Sequence, residues 1–264
     1  TLDELVGHAR ARPGELVFAT SGPTAFSRIA LDLVARAYDL ELLTVEYRGA
    51  PAATLDLVAG RAHLQVNDAI PFILGTTGES VSLPMSIKKQ FVREAVRLKS
   101  DDTLLYAGIS SSCFEEAIKF GRFCFDEGVD VVAATLPSYY ALSESQMKQY
   151  FEDMANQIGG PLIIYNIPAT THMSIPLPII DELSHHEHIV GVKDSERSED
   201  RLNASLTLWA KRPDFSYFLG WAAKSAYALL HGSDGLVPST GNLLPGIYRD
   251  MVKAVQEVNA ERAY

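Results

Sequence analysis

The chain of 264 residues carries 23 basic and 33 acidic side chains, which gives a formal net charge of -10 at pH 7. This charge repels nucleic-acid phosphates, and no basic run offsets it, so we do not expect nucleic-acid binding. With 47% hydrophobic residues the chain can bury a large core, yet no apolar stretch approaches the about 20 residues that span a bilayer. We therefore expect a globular cytoplasmic protein that does not bind membranes.

Short apolar runs alternate with stretches of helical period along the chain. The predicted strands are residues 16–20, 42–47, a stretch between 63 and 75, 104–109, 131–136, 162–166, 189–194, 215–220 and 235–239. Amphipathic helices are predicted at 85–98, 113–127, 145–158, 176–183, 201–211 and 222–230. The strands are continuously apolar rather than alternating, which indicates a parallel sheet covered on both faces. Seven evenly spaced strands from Phe72 onward favour a (β/α)8 barrel, with its site at the carboxyl ends of the strands, over a doubly wound sheet.

One segment does not fit this repeat. Between Gly60 and Gly78, two strand-like pieces flank Pro71 without a helix, and proline cannot donate a hydrogen bond to a central ladder. The composition shifts nearby, because every basic side chain before Lys88 is an arginine and Ile29 is the only isoleucine before Ile70. This shift is consistent with two origins for the two parts of the chain.

Lys193 ends an apolar run that begins at Ile189. Burial of an ammonium group costs free energy, so this lysine must pair, reach solvent or act as a neutral amine, which is a nucleophile toward carbonyl carbon. Taken alone, such a lysine is more often a strand-end residue that reaches solvent. The two cysteines, Cys113 and Cys124, lie around one predicted helix, which predicts neither a disulfide nor a zinc site.

From about Phe72 to the end, the chain resembles the family of dihydrodipicolinate synthase and N-acetylneuraminate lyase. The resemblance rests on five motifs in family order: Gly75-Thr76-Thr77-Gly78-Glu79-Ser80, Ser138-Tyr139-Tyr140, Tyr165-Asn166-Ile167-Pro168, Gly191-Val192-Lys193-Asp194 and Gly235-Leu236-Val237-Pro238-Ser239. It implies a Schiff-base aldolase or lyase on a (β/α)8 barrel, acting on pyruvate or a related 2-oxo acid without a metal or cofactor.

The same resemblance implies roles for individual residues. Lys193 would attack the ketone carbon to form an imine, and Tyr165 would shuttle the proton, although an aromatic core residue is the alternative for Tyr165. Tyr139 would come from a turn that often reaches the site of a neighbouring subunit. The implied substrate-binding residues, of which the threonine turn would hold the carboxylate, are Gly75, Thr76, Thr77 and Ser239. A plain strand-to-helix turn is the alternative for that threonine turn.

Departures from the family pattern narrow the range of substrates that we expect. The synthases carry an arginine two residues after the motif proline, whereas this chain has Thr170 at that position, after Pro168 and Ala169. Dihydrodipicolinate synthesis is therefore disfavoured. The segment 138–143 leans toward the lyases and sugar-acid aldolases, but Gly220-Trp221-Ala222-Ala223 replaces the polar residues usual after the seventh strand. The aldehyde partner is not indicated.

Residues 1 to about 71 resemble a different family, the substrate-binding proteins of tripartite tricarboxylate transporters. The motifs are Thr1 to Leu5, Pro13 to Leu16, Ser21 to Thr24, Val45 to Gly49 and Leu57 to Ala69, with Glu46 where that family usually has proline. Together the resemblances imply an engineered chimera, in which a βαβαβ fragment of periplasmic ancestry, residues 1–71, replaces the first βα unit of the barrel in residues 72–264. The two parts would form one fused domain. Leu42 to Tyr47 would take the first strand position, and Leu16 to Thr20 would add a ninth strand or an edge strand.

Three functions follow from these resemblances. The first is Schiff-base lyase chemistry through Lys193, weakened or lost at the junction. The second is an engineered scaffold without turnover, and the third is a weak carboxylate-binding module. The expected partner is a small 2-oxo acid, and the sequence does not indicate an oligomeric state.

Overall fold

The computed structural model describes residues 2–20, 35–36, 38–46, 64–65, 72–99, 104–242 and 245–256. The chain divides into a first unit of residues 1–69 and 74–91 and a second unit of residues 70–73 and 92–264. Three sequence features lie outside the described residues: the turn Ser21-Gly22-Pro23-Thr24, the segment 47–63 and Pro71.

The first unit contains a small parallel sheet. Helix α1, Leu2–Ala11, precedes strand β1, Val17–Thr20, and the sheet adds β2, Leu43–Glu46, and β3, Leu64–Gln65. The strand order is β2-β1-β3. Helix α1 buries Val6 and Ala9, which are three residues apart and therefore share one helix face.

Strands β1 and β2 fall where the sequence predicts strands. The prediction that β2 takes the first position of the barrel is not confirmed, because within the described residues it pairs with β1, with Val17 opposite Leu43. That sheet is separate from the sheet of residues 72 onward. A ninth barrel strand is likewise not confirmed.

The second unit contains seven parallel strands. They are β4, Phe72–Ile73; β5, Tyr106–Gly108; β6, Val131–Ala134; β7, Leu162–Asn166; β8, Ile189–Asp194; β9, Ser216–Leu219; and β10, Gly235–Leu236. Each strand pairs with the next one along the chain. This order confirms the predicted parallel sheet and differs from a doubly wound sheet, in which the order reverses. No pairing joins β4 to β10 among the described residues, so closure of the barrel stays a prediction.

Eight helices of the described residues accompany these strands, and all but α5 and α9 fall where the sequence predicts a helix. They are α2, Met85–Leu98; α3, Phe114–Glu127; α4, Glu144–Ile158; α5, Pro168–Thr171; α6, Leu177–Leu183; α7, Glu199–Trp209; α8, Ser225–Leu230; and α9, Pro245–Gln256. Short 3-10 helices occupy Ser80–Ser82, Ala222–Lys224 and Ser239–Asn242. Helix α4 starts with a capping box, in which Ser143 accepts from the backbone N–H of Gln146 and the Gln146 side chain accepts from the N–H of Ser143. No helix of the described segments is long and apolar enough to cross a membrane.

Both faces of the seven-stranded sheet are buried. One face carries a cluster of Phe72, Val131, Ala133, Ile163, Tyr165 and Ile167, with Tyr106, Val190, Phe218 and Val237 packed against it. The opposite face carries Ile164, Val192 and Tyr217, which are also buried, and Trp209 of α7 packs against Tyr217. The continuously apolar strands are explained by this double burial.

Candidate active site

Lys193 lies inside the apolar cluster of the second unit. It is the fifth residue of β8 and is only 6% exposed. Its register partners are Tyr165 on β7 and Phe218 on β9, which belong to the same face of the sheet. The predicted burial of this lysine side chain is therefore confirmed, and its role as a nucleophile stays a prediction.

Aromatic rings surround the Lys193 amine. Its Nζ lies 4.0 Å from the ring centroid of Tyr165 and 4.6 Å from that of Phe72. In the part of the chain that the structure describes, Nζ forms no hydrogen bond or ion pair. Within the described residues the amine is therefore not engaged by a carboxylate, and its use as a nucleophile stays a prediction. The rings would also attract the positive charge of a protonated amine or an iminium group.

Tyr165 is the one predicted catalytic residue that the structure brings directly to Lys193. It is buried in β7, and its ring meets that of Phe72 edge to face, with the centroids 6.1 Å apart. The sequence left open an aromatic core residue or a proton shuttle. The packing of the Tyr165 ring is that of an aromatic core residue. The ring also faces the Lys193 amine, and its role as a proton shuttle stays a prediction.

The glycine of the Gly191-Val192-Lys193-Asp194 motif is needed because two strands approach closely. A Cβ at Gly191 would lie 2.5 Å from the backbone oxygen of Ser216 on β9. Any side chain at this position would force β8 and β9 apart. The motif therefore holds Lys193 in a strand that is pressed against its neighbour.

The buried carboxylate of Asp194 lies on the face of β7 and β8 opposite to the one that carries the Lys193 side chain. Oδ1 of Asp194 accepts from Nδ2 of Asn166 at 2.9 Å and from the backbone N–H of Glu196 at 2.9 Å. Oδ2 of Asp194 accepts from Nε of Arg201 at 2.6 Å. We call Asn166, Ser174, Asp194, Glu196 and Arg201 the Asp194 cluster.

The remaining contacts of the Asp194 cluster join two loops. Ser174 donates to Oε2 of Glu196 at 2.6 Å, and Asn166 donates to the same oxygen at 3.1 Å. Oδ1 of Asn166 accepts from the backbone N–H of Ile175 at 3.1 Å. The segment before α6 and the segment before α7 are thus tied to the ends of β7 and β8.

Sequence reasoning missed this cluster. The available signal was that Asn166 and Asp194 are polar residues at the ends of two buried strands, each within a motif. Nothing in the sequence marks Arg201 as their partner, because its contact with Asp194 depends on how the loop before α7 folds.

The threonine turn belongs to the first unit. Residues 76–79 form a turn in which the Glu79 N–H donates to the Thr76 oxygen at 3.0 Å; Gly75 is buried, Thr76 is exposed and Thr77 is partly exposed. The turn is bounded by two left-handed residues that are not glycine, Leu74 with φ 55° and Glu79 with φ 49°. Such backbone is uncommon and is concentrated at functional sites. Carboxylate binding by this turn stays a prediction.

Tyr139 and Ser239 lie in exposed positions of the second unit. Tyr139 is 79% exposed and meets the ring of Tyr140 edge to face, so it is not part of the buried group around Lys193. Ser239 is exposed at the start of the 3-10 helix after β10, and its backbone oxygen accepts from Nδ2 of Asn242 at 3.0 Å. The predicted catalytic role of Tyr139 and the binding role of Ser239 stay predictions.

Neither cysteine is bonded. Cys113 is exposed, whereas burial together with the charge of Glu127 raises the pKa of the Cys124 thiol to about 12. Among the described residues, no group of three or more His, Cys, Asp or Glu side chains is placed to hold a metal ion.

Comparison with known proteins defines the family. Residues 62–264 match the Dihydrodipicolinate synthetase family, and the chain belongs to it. It is 30% identical over 179 residues to a 4-hydroxy-tetrahydrodipicolinate synthase of Xylella fastidiosa, covering 68% of this chain and 59% of that protein. It is 29% identical over 192 residues to an N-acetylneuraminate lyase of Clostridium perfringens, covering 73% of this chain and 66% of the lyase. The match thus spans about two thirds or less of these relatives.

The solved structures show the fold. The chain superposes with a TM-score of 0.70 and 21% identity on YagE, an Escherichia coli K12 prophage protein of the dihydrodipicolinic acid synthase family in complex with pyruvate. The superposition covers 96% of this chain and 78% of YagE. The chain therefore has the TIM-barrel-like α/β fold of this family. The family match begins at residue 62, earlier than the residue 72 from which the sequence resemblance was expected.

Proposed function

We propose that the protein is a Schiff-base lyase that acts on pyruvate or a related 2-oxo acid through Lys193. Members of its family are lyases that use a Schiff-base lysine with pyruvate. The observation that carries the proposal is Lys193, which is 6% exposed and whose Nζ lies 4.0 Å from the Tyr165 ring centroid without an ion-pair partner among the described residues. A lysine in such surroundings is suited to attack a ketone.

The reaction begins with addition of Nζ of Lys193 to the ketone carbon. Loss of water from the carbinolamine gives an iminium ion, which withdraws electrons from the neighbouring carbon. A carbon-carbon bond at that carbon breaks, an aldehyde leaves, and an enamine remains. Protonation of the enamine and hydrolysis of the imine then release pyruvate and restore the amine. Tyr165, whose ring faces the amine, is the proposed carrier of the proton.

Substrate contacts follow the family motifs. Gly75, Thr76 and Thr77 are proposed to hold the keto-acid carboxylate through backbone N–H groups and hydroxyls, with Ser239 as a further contact. Tyr139, which is exposed, is proposed to act in the site of a neighbouring subunit.

The proposed substrate carries no second carboxylate bound at the start of α5. The chain has Thr170 where the synthases have arginine, and this residue is exposed, with its hydroxyl donating to the backbone oxygen of Ile167 at 3.3 Å. No cation therefore stands at this position. We infer cleavage or synthesis of a sugar-acid-like compound rather than dihydrodipicolinate synthesis.

The proposal is tested by exchange of the pyruvate methyl protons with deuterium in D2O, followed by NMR. Exchange needs only the imine and its enamine, so the unknown aldehyde is not required. We expect exchange with the wild type, none with Lys193→Ala, and wild-type exchange with the control Lys148→Ala, whose lysine pairs with Glu182 on the surface. Absence of exchange by folded wild-type protein, or exchange by Lys193→Ala, would contradict the proposal.

The alternatives depend on the origin of residues 1–71. An engineered scaffold without turnover and a weak carboxylate-binding module both follow from the resemblance to the transporter proteins, and the chimera itself stays a prediction. Either alternative predicts no methyl exchange. Binding of a dicarboxylate without modification of Lys193 would favour the binding module.

A further inference from the structure

We propose that Asp194 and Arg201 are positioning residues for Lys193, and that their ion pair holds the carboxyl end of β8 so that the amine stays over the Tyr165 ring. The inference rests on the function proposed above and extends it to two residues that do not touch the substrate. The residues involved lie at the carboxyl ends of β7 and β8, on the face opposite to the one that carries the amine.

Asp194 controls the backbone of Lys193 because the two residues are neighbours at the end of one strand. Successive side chains leave a strand on opposite faces, so Asp194 is directed away from the apolar cluster that holds Lys193. The backbone oxygen of Asp194 accepts from the Gly220 N–H at 2.7 Å. This bond ties the peptide unit between Asp194 and Ser195 to the residue that follows β9, so loss of the Asp194 side-chain contacts would loosen the strand end that carries Lys193.

Arg201 fixes the orientation of Asp194 from α7. The two side chains are 10% and 3% exposed, and the 2.6 Å contact between Nε and Oδ2 is a short, charge-assisted hydrogen bond. Arg201 lies in the first turn of α7, where its backbone N–H donates to the capping hydroxyl of Ser198 at 3.3 Å. The guanidinium is therefore held by a capped helix rather than by a free loop.

Asn166 provides a second tie to the same carboxylate. It stands opposite Asp194 in the register of β7 and β8 and is fully buried. Its backbone oxygen accepts from the Ser195 N–H at 2.9 Å, while its side chain donates to Asp194. Tyr165 and Lys193 are the preceding pair in this register, so the two catalytic candidates share one fixed strand end.

The geometry is better suited to fixing position than to adding stability. Burial of two charges carries a desolvation cost that their attraction does not always offset. Nη2 of Arg201 is buried without a hydrogen-bond partner in the described part of the chain, and the contact of Nη1 with Ser174 is long, at 3.4 Å. A group retained only for stability would be expected to satisfy these donors.

Three variants separate positioning from stability. Arg201→Leu removes the pair and leaves the Asp194 carboxylate buried without its cation, which lowers stability. Arg201→Leu combined with Asp194→Asn removes both charges of this pair and keeps an amide oxygen that accepts from Asn166 and Glu196. Glu196, which pairs with Arg201 at 3.4 Å in the wild type, keeps its hydrogen bonds from Asn166 and Ser174. We expect the double variant to recover stability but not the position of Lys193, and we expect Arg201→Lys to restore that position in part.

The position of Lys193 is measured without any substrate. In protein labelled with carbon-13 at the lysine ε position, the ring currents of Tyr165 and Phe72 should move the Lys193 signal upfield of the other lysines. The signal is assigned by its loss in Lys193→Met. We expect it to move toward the other lysines in both Arg201→Leu variants and to stay in place in Lys99→Met, which breaks the 2.7 Å pair of Lys99 with Asp130.

The rate of pyruvate trapping by borohydride completes the test. A displacement of about 1 Å can cost on the order of a hundredfold in rate, so we expect trapping by the double variant to be at least about tenfold slower than by the wild type. A double variant with the wild-type lysine signal and trapping rate would overturn the inference. If the wild type itself is not trapped, the proposed function fails, whereas the lysine signal still decides whether Asp194 and Arg201 position the amine.

Discussion

The amine of Lys193 and the ring of Tyr165 face each other across two adjacent strands, with Nζ 4.0 Å from the ring centroid and the two residues opposite in register. This relationship follows from the parallel pairing of β7 and β8, which places both side chains on the same face. It joins two sequence motifs that are separated by more than twenty residues. Both motifs can therefore act on one bound molecule.

Replacement of the Tyr165 hydroxyl should separate imine formation from proton transfer. Tyr165→Phe keeps the ring that packs on Phe72 and faces the amine, so pyruvate trapping on Lys193 should persist. Methyl exchange in D2O should fall about 100-fold or more, because a general acid-base group has been removed. Equal exchange by Tyr165→Phe and the wild type would show that this phenol does not carry the proton.

Substitution of Gly191 should destabilise the second unit. In Gly191→Ala the new Cβ would lie 2.5 Å from the Ser216 oxygen, a backbone contact that only movement of β8 or β9 can relieve. We expect the free energy of unfolding in urea to fall by about 1–3 kcal/mol. Gly7→Ala is the matched control, because a Cβ at that helical position meets nothing within 4 Å and should be neutral or stabilising. A loss for Gly7→Ala as large as that for Gly191→Ala would contradict this account.

The two cysteines should differ in reactivity. Burial raises the pKa of the Cys124 thiol to about 12, so this group has almost no thiolate at pH 8, whereas Cys113 is exposed. A disulfide reagent should titrate one thiol in the folded protein and both in denaturant. Cys113→Ser should remove the fast reaction, and a fast reaction that survives in this variant would be inconsistent with the burial of Cys124.

The ion pair of Arg212 with Asp214 should stabilise the folded protein at neutral pH and lose this contribution in acid. A hydrogen bond from Arg212 lowers the pKa of the Asp214 carboxyl from 3.8 to about 2. Because the folded pKa is the lower one, the contribution is present above pH 4 and is lost as the pH falls toward 2. The stability difference between the wild type and Asp214→Asn should therefore shrink over this range in urea unfolding. A difference that is the same at pH 7 and at pH 2 would rule out this linkage.

The sequence predicted the second unit more completely than the first. Strands β7 and β8 match their predicted bounds, because each is a continuous apolar run that ends at polar residues. The partner of a strand is harder to predict from sequence than the strand itself. Nothing in residues 42–47 indicates whether that strand pairs with β1 or enters a barrel. The choice depends on contacts between distant segments.

The candidate site could likewise be predicted only in part from the sequence. Lys193 and Tyr165 could be predicted because each lies in a motif at a strand end, and strand order brings them together. Arg201 could not, because its pairing with Asp194 depends on the loop before α7. The exposure of Tyr139 is a property of a loop that the apolar pattern of the chain does not specify.

The most direct test of the central claim is borohydride reduction in the presence of pyruvate, followed by intact-mass analysis and peptide mapping. We predict one reduced adduct for each chain, on Lys193, that is absent in Lys193→Ala and retained in Lys148→Ala. An unmodified wild-type protein that is folded by circular dichroism, or an adduct on another lysine, would contradict the assignment of Lys193 as the nucleophile.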